Sequence, residues 1–460
     1  MASTGAPLRS LWSSKWAFIL AAAASAVGLG NLWRFPYLAA KYGGGAFLIT
    51  YMVLVVTFGF ALMMLEVAIG RKTGQSAIGA FRTLSKKYAF IGFFTSVIPF
   101  VIVPYYCVIG GWVTKYAAAY LLDGPAALAD GGAYFASFTS NNPESYLWML
   151  LFLAATFIVV GLGVKGGIEK ANKVLMPILI LMTIGLAAYV LTMPGALDGL
   201  AYYLTPDMSK FGPELVIAAM GQMFYSLSLA MGIMITYGSY LGKKDNLEQS
   251  VRRIELFDAG FAFLAGLVIV PTAFAAMGSS EAVAAKSGPS LMFVILPDIF
   301  NRMGDVAVLV GFLFFLLVIF AALTSAISLT ETCVSIVADS LRWSRRKAFA
   351  AVVAFIACAA VVVNLGYNQL SFIQPFGEGT AILDFLDFIS NSVMMPIAAL
   401  MACVFVGWIV KPKVVVDEVK SSGPFKSEKL FVVMIKYIAP VLVTVILIAY
   451  VAQQFGFFVM

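Results

Sequence analysis

Long apolar runs separated by short polar segments follow one another along the whole sequence. Each run is long enough, at about 18 residues or more, to cross a lipid bilayer as an α-helix. The runs are nearly continuous, whereas the strands of an outer-membrane β-barrel alternate in polarity over about ten residues. The pattern therefore predicts an all-α membrane protein. Eleven spans are expected, numbered 1 to 11 in chain order: 16–40, 45–70, 90–121, 146–163, 171–193, 213–241, 255–278, 304–338, 347–366, 380–409 and 430–452.

Composition supports a membrane protein and argues against an enzyme. The chain is 62% hydrophobic and 12% charged, whereas an ordinary soluble protein carries roughly 25% charged residues. None of the 460 residues is histidine, which removes Ser-His and Cys-His nucleophile pairs. The short glycine runs near residues 43 and 161 lack the length of a phosphate-binding loop. We therefore expect a protein that is not an enzyme.

The positions of the basic residues predict the direction of the chain in the membrane. Most of the 30 lysines and arginines fall in the amino-terminal segment and in alternate loops, after spans 2, 4, 6, 8 and 10. The opposite loops carry mainly acidic residues. By the positive-inside rule the segment 1–15 is cytoplasmic, and eleven crossings place the tail 453–460 outside. The net charge of +7 then reflects membrane orientation and not nucleic-acid binding.

Span 1 contains residues that an uninterrupted transmembrane helix avoids. Gly28 and Gly30 stand beside Asn31 and Arg34, followed by Pro36. Each glycine weakens a helix by about 1 kcal/mol, and unwound backbone is tolerated in a membrane only where it lines a cavity or is buried in protein. The sequence predicts a break over residues 27–31. The alternative is a glycine packing face with an arginine that extends to the membrane surface.

Span 6 carries a comparable interruption. Gln222, Ser226, Ser228 and Gly232 lie near the middle of its apolar run. Span 6 follows span 1 by five spans, and five is odd, so a second five-span unit would enter the membrane in the opposite direction. Paired interruptions in inverted repeats indicate a transporter with its binding site at mid-membrane.

This reasoning divides the chain into a first repeat, 16–193, a second inverted repeat, 213–409, and an additional helix, 430–452. The freed amide groups of such breaks suit a carboxylate, and the freed carbonyl groups suit a cation.

Five motifs stand out along the chain: SAVGLGNLWRFPY at 25–37, GGGAF at 43–47, GGIEK at 166–170, GQMFYSLS at 221–228 and AALTS at 321–325. Together they resemble the neurotransmitter:sodium symporter family, and specifically its bacterial amino-acid branch with carriers of leucine and other hydrophobic amino acids. The resemblance implies sodium-coupled symport of a neutral, hydrophobic L-amino acid by alternating access, in a multi-pass protein of the bacterial cytoplasmic membrane. The alternatives are a proton-coupled carrier of the same fold and an ion channel.

The resemblance also implies two sodium sites and no requirement for chloride. For the first ion it implies Ala26, Asn31, Ser226 and Asp258. For the second it implies Ala24, Val27, Ala321, Thr324 and Ser325. Animal members bind chloride near residues that match Tyr51, Gln222, Ser226 and a serine that here is Ala262. Because Asp258 stands one turn before Ala262, its fixed negative charge is expected to replace the anion.

Gly28 indicates the class of substrate. Amine transporters of the family carry an aspartate at this position, and glycine leaves room for a substrate that brings its own carboxylate. The expected substrate-binding residues are Ala26, Gly28, Leu29, Gly30, Ile102, Tyr106, Tyr225, Ser226, Ser228, Met231, Ala326 and Leu329. Ala230 departs from the glycine common in relatives, and its methyl group is expected to narrow the pocket or stiffen the break.

Gating residues follow from the same resemblance. Arg34 and Asp387 match the outer ion pair, with Tyr106 and Tyr225 as the lid beneath it. The cytoplasmic closure matches Arg9, Trp12, Tyr240 and Asp339. Gly167 and Pro177 match a motif that lets span 5 unwind. Glu66 and Glu331 are intramembrane carboxylates, expected to be structural hydrogen-bonding groups first and proton sites second.

Overall fold

The computed structural model describes residues 11–279, 281–285 and 288–457, and within them the chain is α-helical with no β-strand. Nine helices of this described part are long and apolar enough to cross a membrane. They are Gly45–Thr73, Lys86–Leu122, Asn142–Gly161, Val164–Val190, Leu247–Met277, Gly304–Leu341, Arg345–Leu365, Ile382–Ile409 and Glu428–Gln454. The predicted all-α membrane fold is confirmed.

Spans 5 and 7 begin earlier than the apolar pattern predicts. Span 5 starts at Val164 and span 7 at Leu247, whereas the apolar runs start near residues 171 and 255. The added turns carry basic residues, Lys165 and Lys170 in span 5 and Arg252 and Arg253 in span 7. The Asn246 side chain caps the start of span 7 by accepting a hydrogen bond from the Gln249 amide, 2.9 Å. Capping chemistry, and not hydrophobicity, therefore sets this boundary.

Span 1 is broken where the sequence predicts. Its first half, Lys15–Ala26, and its second half, Gly30–Lys41, meet at an angle of 53°. Between them Val27 adopts an extended backbone with ψ of 99°. The Gly28 amide donates to the Asn31 side-chain oxygen, 3.1 Å. The Gly28 amide, which has no partner within a helix, is thus satisfied by the Asn31 side chain. The bend of 53° excludes the alternative of an intact helix with a glycine packing face.

Span 6 is also two helices, Pro213–Ser226 and Ile233–Gly238. Three residues between them take positive φ angles: Ser228 at 53°, Ala230 at 62° and Gly232 at 77°. Neither helix is long enough alone to count as a span. With the bent pair of span 1, the described residues therefore give ten spans, and the count of eleven stays a prediction.

Glu66 on span 2 stabilises the break in span 6. Its carboxylate accepts a hydrogen bond from the Ala230 amide, 2.6 Å, and its side chain is buried. This contact agrees with the structural role expected for Glu66. Ala230 does not line the central cavity described below, which leaves the stiffer break as the expected effect of its methyl group. The break holds Ala230 in left-handed backbone, with φ of 62°, a conformation that is costly for a residue with a Cβ atom.

Spans 1 and 6 run antiparallel and touch at their breaks. The Ser228 hydroxyl donates to the Ser25 carbonyl, 2.9 Å, and the Gln222 amide donates to the Gly30 carbonyl, 3.1 Å. The segment before span 1 meets the end of span 6, because the Trp12 amide donates to the Tyr240 carbonyl, 3.0 Å. Each break therefore satisfies polar groups of the other.

Ala230→Gly is expected to stabilise the protein. A left-handed L-residue costs about 1–2 kcal/mol, and the added freedom of glycine in the unfolded chain offsets about 0.4–1 kcal/mol of the relief. The free energy of unfolding should rise by up to about 1.5 kcal/mol, measured as a higher midpoint of thermal unfolding in detergent. In the control Ala201→Gly, on the exposed side of helix Ala196–Leu204, the midpoint should fall, since glycine costs about 1 kcal/mol in a helix. A lower midpoint for Ala230→Gly would contradict the strain.

Candidate functional site

A small central cavity of about 30 Å³ lies between the two broken spans. Its walls combine backbone of the breaks, hydroxyl groups and apolar side chains. The lining residues are Ser25, Ala26, Gly28, Leu29, Gly30, Asn31, Ile102, Tyr106, Tyr225, Ser226, Ser228, Met231, Ile233, Ser325 and Leu329.

Every residue expected to bind substrate lines this cavity, except Ala326. Ala326 is fully buried on span 8 but does not line the cavity. Ser25 and Ile233 line it and were missed. Ser25 opens the motif 25–37, and a hydroxyl group in an apolar run was a usable signal. Ile233 had no comparable signal, because only the backbone of the break turns it inward.

Gly28 sits where even one added carbon would crowd the cavity. A Cβ atom at Gly28 would lie 2.8 Å from the Ser325 hydroxyl oxygen and 3.0 Å from the Tyr106 hydroxyl oxygen. The Tyr106 hydroxyl also accepts a hydrogen bond from the Leu29 amide, 3.4 Å. The break of span 1 thus presents bare backbone, amide groups and a phenol hydroxyl to one small space.

The first expected sodium site is a buried cluster of side-chain oxygens. Asp258 accepts from the Asn31 amide at 2.9 Å, from the Ser226 hydroxyl at 2.8 Å and from the Tyr51 hydroxyl at 3.1 Å. All four side chains are buried. The structure therefore brings Asn31, Ser226 and Asp258 together as expected, and Ala26 lines the adjacent cavity.

The charge of Asp258 gives this cluster its chemical character. Its three hydrogen-bond partners are uncharged, and burying a carboxylate among neutral groups is costly unless an opposite charge compensates it. A hard cation beside Asp258 would supply that charge. The Asn31 amide group would then turn its oxygen toward the cation, since its nitrogen now faces Asp258.

The second expected sodium site is assembled in part. The Ser325 hydroxyl reaches the carbonyl groups of Ser25 at 3.1 Å and Val27 at 3.4 Å, which connects span 8 to the break of span 1. The Thr324 hydroxyl donates to two carbonyls of its own helix, Phe320 and Ala321, both at 3.0 Å. The Ser325 hydroxyl and the Val27 carbonyl therefore lie together at the break, and the Thr324 hydroxyl and the Ala321 carbonyl are engaged with each other within span 8. Ala24 is buried in the first half of span 1.

A second cavity of about 640 Å³, which we call the vestibule, lies on the other side of Tyr225. Tyr225 lines both cavities and so forms a wall between them, as expected of a lid. Tyr106 lines the central cavity but not the vestibule. Arg34 and Asp387 both line the vestibule. Within the described part of the chain they do not pair with each other.

The partners of these two charged groups are neutral. Arg34 donates to the Tyr450 hydroxyl, 2.8 Å. Asp387 accepts from the Asn391 amide at 2.6 Å and from the Tyr105 hydroxyl at 3.2 Å. The predicted outer ion pair is therefore apart in this structure, with both members facing the same open space.

The opposite face is closed around Trp12. The Trp12 indole donates to the Tyr237 carbonyl, 3.1 Å, and its ring packs edge-on against Tyr237 and Tyr240. Asp339 accepts from the Ser76 amide, 2.7 Å. Trp12 and Tyr240 lie together as expected. Arg9, the fourth expected member, lies outside the described residues.

Glu331 is a structural carboxylate at this face. Both its oxygens accept from Arg345, each at 2.7 Å, and the Tyr240 hydroxyl donates to it at 2.8 Å. Its side chain is fully buried. This ion pair with Arg345 agrees with the structural role expected for Glu331.

Glu169 is a residue at the Trp12 face that sequence reasoning missed. The Ser13 amide donates to its carboxylate at 3.1 Å, the Ser13 hydroxyl donates to the other oxygen, and Lys173 pairs with it at 2.7 Å. Glu169 belongs to the motif 166–170, which was used only as a sign of resemblance. Gly167 lies in the turn just before it and Pro177 lies two turns after it, so the amino-terminal segment is fastened to the part of span 5 expected to unwind.

Comparisons with known proteins cover nearly the whole chain. A family model described as Sodium:neurotransmitter symporter family matches residues 9–124 and 140–456. An uncharacterized sodium-dependent transporter of Methanocaldococcus jannaschii is 37% identical over 87% of this chain and 82% of its own length. One of Haemophilus influenzae is 31% identical over 96% of this chain and 98% of its own length. The crystal structure of MhsT in complex with L-phenylalanine is similar with a TM-score of 0.84 and 36% identity, over 96% of this chain and 99% of that chain.

Glu169→Gln is expected to loosen the amino-terminal segment. Hydrogen bonds to a charged group contribute about 1.5–3 kcal/mol, against about 1 kcal/mol for neutral ones, so the loss of charge should raise amide exchange in residues 11–16 by about fivefold. Hydrogen–deuterium exchange with mass spectrometry measures this. Glu144→Gln removes a carboxylate paired with Lys115 elsewhere and should leave that segment unchanged. If residues 11–16 exchange equally fast in Glu169→Gln and in Glu144→Gln, Glu169 does not hold the segment.

Proposed function

The chain belongs to the sodium:neurotransmitter symporter family, and on that premise we propose that it carries a neutral, apolar L-amino acid together with sodium by alternating access. Its sodium-dependent relatives and family make it a sodium-coupled transporter and not an enzyme. The observation that carries the finer proposal is the central cavity, where unwound backbone, hydroxyl groups and apolar side chains meet next to the buried carboxylate of Asp258.

Two sodium ions are proposed, one on each side of the break in span 1. Asn31, Ser226 and Asp258 supply oxygens for the first, with the Ala26 carbonyl. The second would lie between Val27 and Ser325, with Ala24, Ala321 and Thr324 completing the shell once the Thr324 hydroxyl turns from its own helix. All-oxygen shells of this kind suit a hard cation.

Chloride independence is proposed from the same cluster. The Tyr51 hydroxyl, which matches a chloride-binding group in animal members, donates to Asp258 at 3.1 Å. Ala262, one turn later, is buried and has no hydroxyl group to offer an anion. We propose that the fixed carboxylate of Asp258 balances the sodium charge in place of a chloride ion.

The substrate is proposed to be an amino acid with an apolar side chain. Among the described residues that line the central cavity none is charged, and Ile102, Met231, Ile233 and Leu329 are apolar. A charged substrate side chain would be buried unpaired at a cost of several kcal/mol. The carboxylate of the substrate would approach Gly28, where no side chain stands. The complex of MhsT with L-phenylalanine supports this class of ligand.

The central cavity must expand to admit such a substrate. Its volume of about 30 Å³ is only two to three times the roughly 10–15 Å³ that a cavity needs to hold one water molecule. Tyr225 separates it from the vestibule, and Met231 is unbranched and adaptable. Entry is therefore proposed to require displacement of Tyr225, followed by closure of Arg34 on Asp387.

Alternating access is proposed between two five-span repeats, 16–193 and 213–409, with the helix 430–452 outside the repeat. The Trp12 face is assigned to the cytoplasm, because the basic loops lie on that side. The amino-terminal segment is then cytoplasmic, the segment 453–460 is external, and the bacterial cytoplasmic membrane is the proposed location.

A thermal-shift screen of the twenty amino acids, each in sodium and in potassium, tests the proposal. Apolar amino acids should raise the unfolding midpoint in sodium and leave it unchanged in potassium, since ligands that bind only the folded state stabilise it. Equal stabilisation in potassium would favour the proton-coupled alternative. In proteoliposomes loaded with unlabelled amino acid, uptake of labelled amino acid by counterflow should be seen. If labelled amino acid enters but preloading does not speed its entry, a channel is favoured.

Asp258→Asn is expected to weaken sodium binding at least about tenfold, because one buried charge pair contributes more than about 1.4 kcal/mol. Sodium titration of the thermal shift measures this. Glu255→Gln is the matched control, since Glu255 is a buried carboxylate one turn earlier on the same helix, paired with Arg252 at 3.3 Å. An unchanged sodium affinity in Asp258→Asn would contradict the first site, as would an equal loss in Glu255→Gln.

A further inference from the structure

The last helix of the chain takes part in the vestibule. Tyr450, Gln453 and Gln454 of helix Glu428–Gln454 line it together with Arg34 and Asp387. The Arg34 guanidinium donates to the Tyr450 hydroxyl at 2.8 Å and lies 5.8 Å from the centre of its ring. Tyr450 is thus the hydrogen-bond partner that Arg34 has in this structure.

Gly221 makes this contact possible. A Cβ atom at Gly221 would overlap the Tyr450 hydroxyl group and lie 3.3 Å from the Arg34 Nη2 atom. Gly221 is on the first half of span 6, Arg34 on the second half of span 1, and Tyr450 on the last helix. The three elements therefore meet at one point, and the glycine is the space that lets the tyrosine reach the arginine.

Asp387 is held separately on span 10. It accepts from Asn391 at 2.6 Å and from the Tyr105 hydroxyl at 3.2 Å. Both Arg34 and Asp387 therefore have neutral partners while they face one cavity. Opposite charges attract more strongly as water leaves the space between them, so Asp387 competes with Tyr450 for Arg34 whenever the vestibule narrows.

We propose that Tyr450 is a positioning residue of the gate: its hydroxyl group holds Arg34 away from Asp387 and favours the open vestibule. The proposal rests on the proposed function, in which an Arg34–Asp387 pair closes this cavity during transport. Closure then exchanges one hydrogen bond of Arg34 for another, and the helix outside the two repeats sets the balance between the open and closed states.

Tyr450→Phe tests the proposal by removing the hydroxyl group alone. The reporter thiol is introduced by Ser392→Cys at a position that lines the vestibule, in a Cys358→Ser background because Cys358 is the exposed cysteine among the four. Modification by a membrane-impermeant maleimide measures the open population without substrate. Since a hydrogen bond contributes about 0.5–1.5 kcal/mol, Tyr450→Phe should shift the equilibrium toward the closed state about two- to tenfold and slow modification by up to that factor. An unchanged or faster rate would overturn the proposal.

Tyr37→Phe is the matched control, because Tyr37 also lines the vestibule but its hydroxyl group contacts Lys41, 3.1 Å. Its modification rate should equal that of the parent. In an Asp387→Asn background the negative charge that competes for Arg34 is lost, so Tyr450→Phe should slow modification much less. Slowing in Tyr37→Phe, or an undiminished effect in Asp387→Asn, would each overturn the proposal.

Asp387→Asn alone gives a further measurement, should Tyr450→Phe fail to fold. Without the charged partner the vestibule should stay open, and modification of the reporter thiol should be faster than in the parent; an unchanged rate overturns the exchange of partners. These measurements need neither substrate nor sodium. If no amino acid shifts the unfolding midpoint but the modification rates are as expected, the proposed function is rejected and the role of Tyr450 is kept. If amino acids shift the midpoint in sodium but the modification rates are not as expected, the role of Tyr450 is rejected and the proposed function is kept.

Discussion

The structure depends on how two interrupted helices satisfy their freed backbone groups inside a membrane. Unpaired amide and carbonyl groups are costly there, and the fold reduces this cost by packing the two breaks against each other. Ser228 donates to the Ser25 carbonyl and Gln222 to the Gly30 carbonyl. Span 2 contributes the Glu66 carboxylate to the Ala230 amide. The polar cavity at mid-membrane is thus a consequence of the same contacts that make the breaks tolerable.

The buried carboxylate of Asp258 lies next to the central cavity but outside its wall. Asp258 is buried, yet it lies behind Asn31 and Ser226 and not in the cavity wall. A cation attracted by Asp258 would therefore lie between the carboxylate and any bound carboxylate at Gly28. Each negative group would gain from the cation, and the two would otherwise repel each other. In the proposed function, this order of charges is what couples the solute to sodium.

Much of this arrangement could be predicted from sequence, because breaks and buried charges leave strong signals. Gly28 and Asn31 mark the break in span 1, and a residue such as Asp258 is conspicuous in an apolar helix. Three features could not be predicted. Ala326 is on the right helix but turned away from the cavity, which depends on helix rotation. Ala230 takes a positive φ, which an alanine side chain does not indicate by itself. Arg34 has a partner 416 residues away, on the last helix of the described chain.

The two faces are built from opposite halves of the same broken helices. At the Trp12 face, the segment before span 1 contacts the second half of span 6 through the carbonyls of Tyr237 and Tyr240. At the vestibule, Arg34 on the second half of span 1 lies beside Gly221 on the first half of span 6. The two halves of each broken helix are joined only by unwound backbone. In the proposed alternating-access cycle, the break that binds the solute is therefore also the joint that lets one face open while the other stays closed.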